Sequence, residues 1–429
     1  MKRPLLVILL AAVVGLGGIV AWTAVSRDRE YRRLIAAGDA ALAGDQAFQA
    51  IEAFSGAIAL NHDSMLAYLR RGETYRRLGD LKAALRDLRR ASELDPTATR
   101  PLERLGDVLA AQERHARAAE RYEAYVRIDD RSPRVLYKLG LARFQAGEAK
   151  AAVPALRQAV RLDDRFSEAW YLLGLCLQDQ RQTNDAAFAF QRAAQVAPGF
   201  AEPREALAAL YRRQNRATER IDQLEALVAL DPGRVDRQLA LGLAHADAGR
   251  PDLAVITLGR AAERHPDNMA IYTALAAVWL QQAEVHDDHG TLAKALEATA
   301  TIVSHGVPTS QDLLLRGRAL AASGDLEGAV RVLRDAAVRI PVAPPAFEQL
   351  ANCTARLGNF AEAREAFGRY LAFLNDDRKE AETLAKMADL SVRLREHADA
   401  VRWQTAAVEH APHDQALQER LEELRAEKQ

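Results

Sequence analysis

Only two cysteines, Cys176 and Cys353, occur in 429 residues, which excludes a disulfide framework and a cysteine-built zinc site on number alone. Two small buried apolar side chains are the expected reading. Excess charge of one sign is also missing, since the formal net charge is −1. Phosphate backbones require a basic surface, so nucleic acid is not an expected partner. The chain has no Walker A loop, no G-x-S-x-G and no H-E-x-x-H, which removes the usual phosphate cradle, nucleophile elbow and zinc-protease chemistry. We expect no enzyme activity and no cofactor. Lysine is scarce beside arginine while alanine is abundant, a composition read as the codon bias of a GC-rich bacterial genome. A polar linker is lacking too. The apolar positions never separate into blocks, which favours one continuous array over two or three globular domains.

What is present begins with a long apolar run. No charged residue stands between Arg3 and Arg27, and residues 5–25 are long enough to cross a hydrocarbon core of about 30 Å as a helix. Trp22 sits where an interfacial anchor belongs. A cleaved signal carries a shorter apolar region, so residues 1–26 are expected to be a retained anchor in contact with the lipid bilayer, with cleavage after Ala24-Val25-Ser26 as the alternative. Lys2-Arg3 placed directly before the run has the layout of an export signal. Arg27, Arg29, Arg32 and Arg33 on the other side pull the positive-inside count toward a cytoplasmic body. The favoured expectation is a single-pass protein of the bacterial inner membrane with its body in the periplasm. A cytoplasmic body and a secreted one stay open.

From Tyr31 the chain divides every 34 residues, without a gap, into seven units ending at Asn268. The clearest unit is 167–200, with Trp170, Leu173, Gly174, Leu177, Ala186, Phe190, Ala193 and Pro198 at unit positions 4, 7, 8, 11, 20, 24, 27 and 32. Unit 65–98 repeats the pattern with Tyr68, Gly72, Tyr75, Gly79, Ala84, Leu88, Ala91 and Pro96. Apolar residues at i, i+3, i+4 and i+7 within each half mark two amphipathic helices. Gly at position 15, as in Gly79 and Gly147, ends the first, and Pro at position 32 ends the second. Arg220 breaks the rule of a small residue at position 20, which puts the packing of that unit in question. After Pro266 the register slips by about seven residues, expected as an insertion between two helices. The pattern then resumes.

These positions resemble the tetratricopeptide repeat family over residues 31 to about 427, the diagnostic Tyr being replaced by Leu177 in the clearest unit. The resemblance implies an all-α, right-handed superhelical solenoid of about eleven helix pairs over residues 31–414. The units lie near 31–64, 65–98, 99–132, 133–166, 167–200, 201–234, 235–268, 269–309, 310–343, 344–380 and 381–414. A capping helix is expected over 415–429, with Leu417, Leu421 and Leu424 on one face, and one transmembrane helix precedes the array.

By the same resemblance, unit positions 2, 5, 9 and 12 of the first helices line a concave groove. In mid-array they include Tyr137, Leu141, Phe144, Tyr171 and Leu175, joined by Leu239 and Leu243. An exposed apolar lining is a docking surface for an extended or helical peptide. Interior packing of the same side chains is the competing reading. Arg70, Arg71, Arg76, Arg77, Arg89, Arg90, Arg100, Arg104, Arg134 and Lys138 form a basic cluster interleaved with acids, read mainly as an ion-paired helix surface. The Lys and Asn of the family's carboxylate clamp are replaced by Leu69 and Glu73, then by Glu103 and Asp107. His286, Asp288 and His289 are the candidate metal ligands, against the simpler reading of a polar loop. The function these features imply is an anchored scaffold that binds proteins or peptide segments, in bacterial envelope assembly or secretion. A cytoplasm-facing adaptor that regulates an envelope polymer synthesis enzyme is the alternative.

Overall fold

The computed structural model describes the backbone of residues 2–426 and the side chains of residue 16 and of residues 21–426. Twenty-three helices and no strand occur among the described residues. The chain divides into two compact units, Met1–Leu210 and Tyr211–Gln429. In order from the N-terminus come α1 (Lys2–Ala43), α2 (Ala47–Leu60), α3 (Met65–Arg77), α4 (Leu81–Leu94), α5 (Thr99–Ala111), α6 (His115–Ile128), α7 (Pro133–Gln145), α8 (Ala149–Leu162), α9 (Ser167–Asp179) and α10 (Thr183–Val196). Helix α11 (Ala201–Arg213) spans the division. The second unit continues with α12 (Ala217–Leu230), α13 (Val235–Asp247), α14 (Pro251–Arg264), α15 (Met269–His286), α16 (His289–His305), α17 (Ser310–Ala322) and α18 (Leu326–Val338). It closes with α19 (Pro345–Arg356), α20 (Phe360–Leu371), α21 (Asp377–Arg393), α22 (His397–His410) and α23 (Gln415–Ala426).

Within a repeat, a missing side chain at position 8 lets the second helix approach the first. At Gly174 an added Cβ would lie 2.5 Å from the Phe190 ring, which is itself fully buried. The turn between the helices carries a left-handed residue at position 15 whatever its type. Gly79 holds φ +82°, and Asp45, Glu113, Arg181, Asn215 and Arg395 hold φ between 56° and 65° at the same place. Ser64, Asp80 and Ser132 cap the helices that follow them by accepting from backbone N–H groups. Thr309 and Asp312 form a reciprocal capping box at α17.

Two expectations change. The seven-residue slip is not a loop between helices: α15 is 18 residues long and α16 is 17, against 13 and 14 in α13 and α14. The extra sequence lengthens both helices, and Asp287 at φ 52° makes the turn. Arg220 does not disrupt its repeat. Its side chain is 12% exposed and its Nη1 donates to Asp247 of α13 at 2.7 Å, so an inter-repeat ion pair occupies the place of the small residue. At the C-terminus, Leu421 and Leu424 of α23 are buried, and Gln404 donates to the Leu417 carbonyl at 2.9 Å.

Among the described residues no helix is long and apolar enough to cross a membrane. Most of the apolar run, residues 5–15 and 17–20, lies outside the described side chains. Helix α1 continues past it, and Tyr31, Leu34 and Ile35 pack against buried Ala57, Ile58 and Ala67.

Candidate functional site

The first helices α3, α5, α7 and α9 follow one another within Met1–Leu210, with α3 packing on α5 and α7 on α9, and side-chain bonds joining α5 to α7. Their charged residues form a ladder. Arg70 pairs with Asp39 of α1 at 3.2 Å. Glu73 accepts from Arg100 and from Arg104, each through Nε at 2.9 Å. One step on, Glu103 accepts from Arg134 at 3.0 Å and from Lys138 at 2.6 Å, and Lys138 also reaches Asp107 at 2.6 Å. Asp107 further accepts from Arg104 and from the Tyr122 hydroxyl. Burial opposes ionisation of Glu73, but the hydrogen bonds from Arg100 and Arg104 outweigh it and hold its pKa below the ordinary value. Asp107 behaves alike, with Lys138 as the main counterweight to burial. Behind this face Arg71 grips the buried Asp87 in a bidentate pair, with Nε 2.6 Å and Nη2 3.1 Å from the two carboxylate oxygens. Arg70, Arg71, Arg90, Arg100, Arg104, Arg134 and Lys138 of the basic cluster are thus ion-paired, with acids of their own or of the neighbouring repeat.

Where the ladder stops, the apolar residues begin. Tyr137, Leu141 and Phe144 of α7 and Tyr171 and Leu175 of α9 are all half-buried. Tyr137 packs on Phe166 with ring centroids 5.0 Å apart. Tyr171 packs on Phe190 at 5.8 Å and edge-on to Phe200 at 5.2 Å. Packing and exposure are therefore combined in these residues: one part of each ring supports the repeat and the rest stays open. Burial first, then Glu168, raises the Tyr137 pKa; burial, then Glu202 and Glu205, raises that of Tyr171. Leu239 and Leu243 belong to the second compact unit. There Leu239 packs against the cluster around Leu258 and Ile271, and Leu243 is 37% exposed.

The metal candidates are placed otherwise. Asp288 caps α16 by accepting from the Gly290 N–H at 2.9 Å and from the Thr291 hydroxyl, so its carboxylate serves the helix. The cluster of ligand-type atoms found among the described residues is Asp377, Glu380 and His410. His410 Nδ1 lies 3.2 Å from Asp377 and 3.4 Å from Glu380, an arrangement that the helix dipoles favour, with acids in the first turn of α21 and His in the last turn of α22. Both cysteines are buried, and burial pushes the Cys176 thiol up to about 12.

The residue reading overlooked the ring partners Phe166 and Phe200, both at unit position 34, and the acids Glu168 and Glu202 at position 2. A change of charge at position 2, from Arg100 and Arg134 to Glu168 and Glu202, was the available signal. A cavity of about 510 Å³ between α8, α9 and α10, lined by Trp170, Leu173, Leu177 and the 56% exposed Phe188, was also not foreseen.

Models described as tetratricopeptide repeat match residues 35–99, 69–133, 137–181 and 314–379, residues 235–278 and residues 167–200, together more than half of the chain. The chain belongs to the tetratricopeptide repeat family. Proteins of this family bind other proteins or peptides, and this chain is a scaffold of that class. A curated relative, Small glutamine-rich tetratricopeptide repeat-containing protein 2 of Mycosarcoma maydis, is 34% identical over 110 residues, 26% of this chain and 31% of that protein. The chain therefore spans about a third of that relative's length. Among solved structures, yeast Tom70 is 13% identical, covering 87% of this chain and 98% of its own, with a TM-score of 0.42. YrrB, described as a TPR protein with an unusual peptide-binding site, is 24% identical over 44% of this chain and 96% of its own, with a TM-score of 0.40.

Proposed function

We propose that the chain is a membrane-anchored scaffold that holds a protein partner close to a bacterial inner membrane, gripping a peptide segment on its first-helix face, in envelope assembly or secretion. The observation that carries the anchor is helix α1, which runs unbroken from Lys2 to Ala43. Its later turns are packed into the first repeat, whereas Leu16, Trp22 and Val25 are 67%, 72% and 51% exposed. Large apolar side chains left uncovered along a continuous helix favour a lipid environment. Tyr31 is six positions after Val25, at a rise of about 1.5 Å each, so the first repeat would begin roughly 10 Å beyond the hydrocarbon. The site on the repeats is the half-open strip Tyr137, Leu141, Phe144, Tyr171 and Leu175. No catalytic step enters this reading: the two thiols are buried with raised pKa values, and the acids of the ladder are held by arginine or lysine.

Two fusions after residue 429, one to alkaline phosphatase and one to green fluorescent protein, test the orientation in bacterial cells. Active phosphatase with no fluorescence is the outcome expected for a periplasmic body. Fluorescence without phosphatase activity would overturn that orientation and favour the cytoplasmic adaptor. Release of the protein by alkaline carbonate washing would remove the anchor itself.

A further inference from the structure

The ladder follows a register rule. Cations at unit positions 2 and 6 of one repeat meet carboxylates at positions 5 and 9 of the repeat before: Arg100 and Arg104 on Glu73, then Arg134 and Lys138 on Glu103 and Asp107. In the next two steps the same register is occupied by the opposite chemistry. Position 2 becomes Glu168 and then Glu202, while the facing positions are Tyr137 with Leu141 and Tyr171 with Leu175. Both glutamates are exposed. Neither forms an ion pair with a described residue, and Glu168 receives a hydrogen bond from the Ser167 hydroxyl at 2.9 Å. After burial, the charge of Glu168 helps to raise the Tyr137 pKa, and the charges of Glu202 and Glu205 help to raise that of Tyr171. The rings themselves are held in place by Phe166, Phe190 and Phe200.

A fixed aromatic face beside an unpaired carboxylate is a receptor for a cation, because the ring quadrupole and the negative charge attract it together. The neighbouring leucine suits an aliphatic side chain. On the groove reading given above, we infer that the strip from α7 to α11 receives a basic segment of its partner, with lysine or arginine side chains at Tyr137–Glu168 and Tyr171–Glu202 and aliphatic residues on Leu141 and Leu175. Adjacent packed helices are about 8–10 Å apart, and a chain in the polyproline II conformation advances about 3.1 Å per residue with three residues per turn, so that side chains three apart share one face. Cations three residues apart therefore match successive repeats.

The test uses the full chain in nanodiscs of zwitterionic lipid and two fluorescein-labelled nonapeptides, (Lys-Leu-Ser)3 and (Glu-Leu-Ser)3, with binding read by fluorescence anisotropy. The lysine peptide is expected to bind and the glutamate peptide is not. The double variant Glu168→Gln/Glu202→Gln, altered only at exposed positions, is expected to weaken binding about tenfold with an unchanged melting curve, and added salt to weaken it in the wild type. Equal binding of both peptides, or indifference to the double variant, overturns the cationic assignment. If that binding is still lost in Leu175→Ala or Tyr171→Ala, the groove itself stands. Binding that ignores all four positions, or no binding of either peptide, overturns this inference and the groove together.

Discussion

At the scale of single residues, the left-handed turn at position 15 separates what the fold demands from what the sequence supplies. Arg181 holds φ 58° without the freedom of glycine. A left-handed L-residue costs about 1–2 kcal/mol, offset in part by the backbone entropy that glycine loses on folding. Arg181→Gly is therefore expected to raise the urea midpoint, and Gly79→Ala at φ +82° to lower it. Position 8 has the opposite sensitivity. With Phe190 fully buried and 2.5 Å from an added Cβ, Gly174→Val is expected to cost about 1–3 kcal/mol through overpacking, visible as a lower melting temperature. Glycine at both positions is legible in the sequence, but the strained Arg181, Glu113 and Asn215 are not, because their conformation is imposed by the packing of the two helices they join.

At the scale of elements, neighbouring helices are joined by ion pairs as well as by apolar faces. Asp87 is 1% exposed and bidentate with Arg71. Removing one partner strands a buried charge, so Asp87→Ala is expected to destabilise by roughly 3 kcal/mol, measured by chemical unfolding of the full chain. The ladder adds a pH dependence. The folded pKa of Glu73 lies below its ordinary value of 4.5 and that of Asp107 below 3.8. Their stabilisation is thus complete above those values and is lost as pH falls through the lower folded ones. The melting temperature is expected to drop between pH 5 and pH 3 by the usual scale of acid titration, with a shallower slope in Glu73→Gln. The sequence revealed these charges but not their pairing. Residues such as Arg134 and Glu103 are separated by nearly a whole repeat, and only the stacking of α5 and α7 brings them together.

On the scale of the whole molecule, stability in a repeat array comes from each helix pair stacking on the next, so an open end requires a cover. Helix α23 buries Leu421 and Leu424 and packs on α22. Deleting residues 415–429 is expected to cost about 1.5–3 kcal/mol for each buried leucine removed, and hydrogen exchange should show α21 and α22 losing protection first. A deletion that left their protection unchanged would show that the cap contributes nothing.

The amino-acid sequence by itself determined the all-helical repeat fold, its 34-residue period and the close helix approach at position 8, because these depend on local periodicity and side-chain size. It also determined that a scaffold for proteins was the class to expect. Tertiary structure alone decided that the slip after Pro266 becomes longer helices, that Arg220 pairs with Asp247, and that Tyr137 and Tyr171 are at once packed and open. It also decided that Glu168 and Glu202 are exposed and form no ion pair with a described residue. The physical reason is the same in each case: these outcomes depend on which side chain of one repeat faces which side chain of the next, and that register exists only once the helices are stacked.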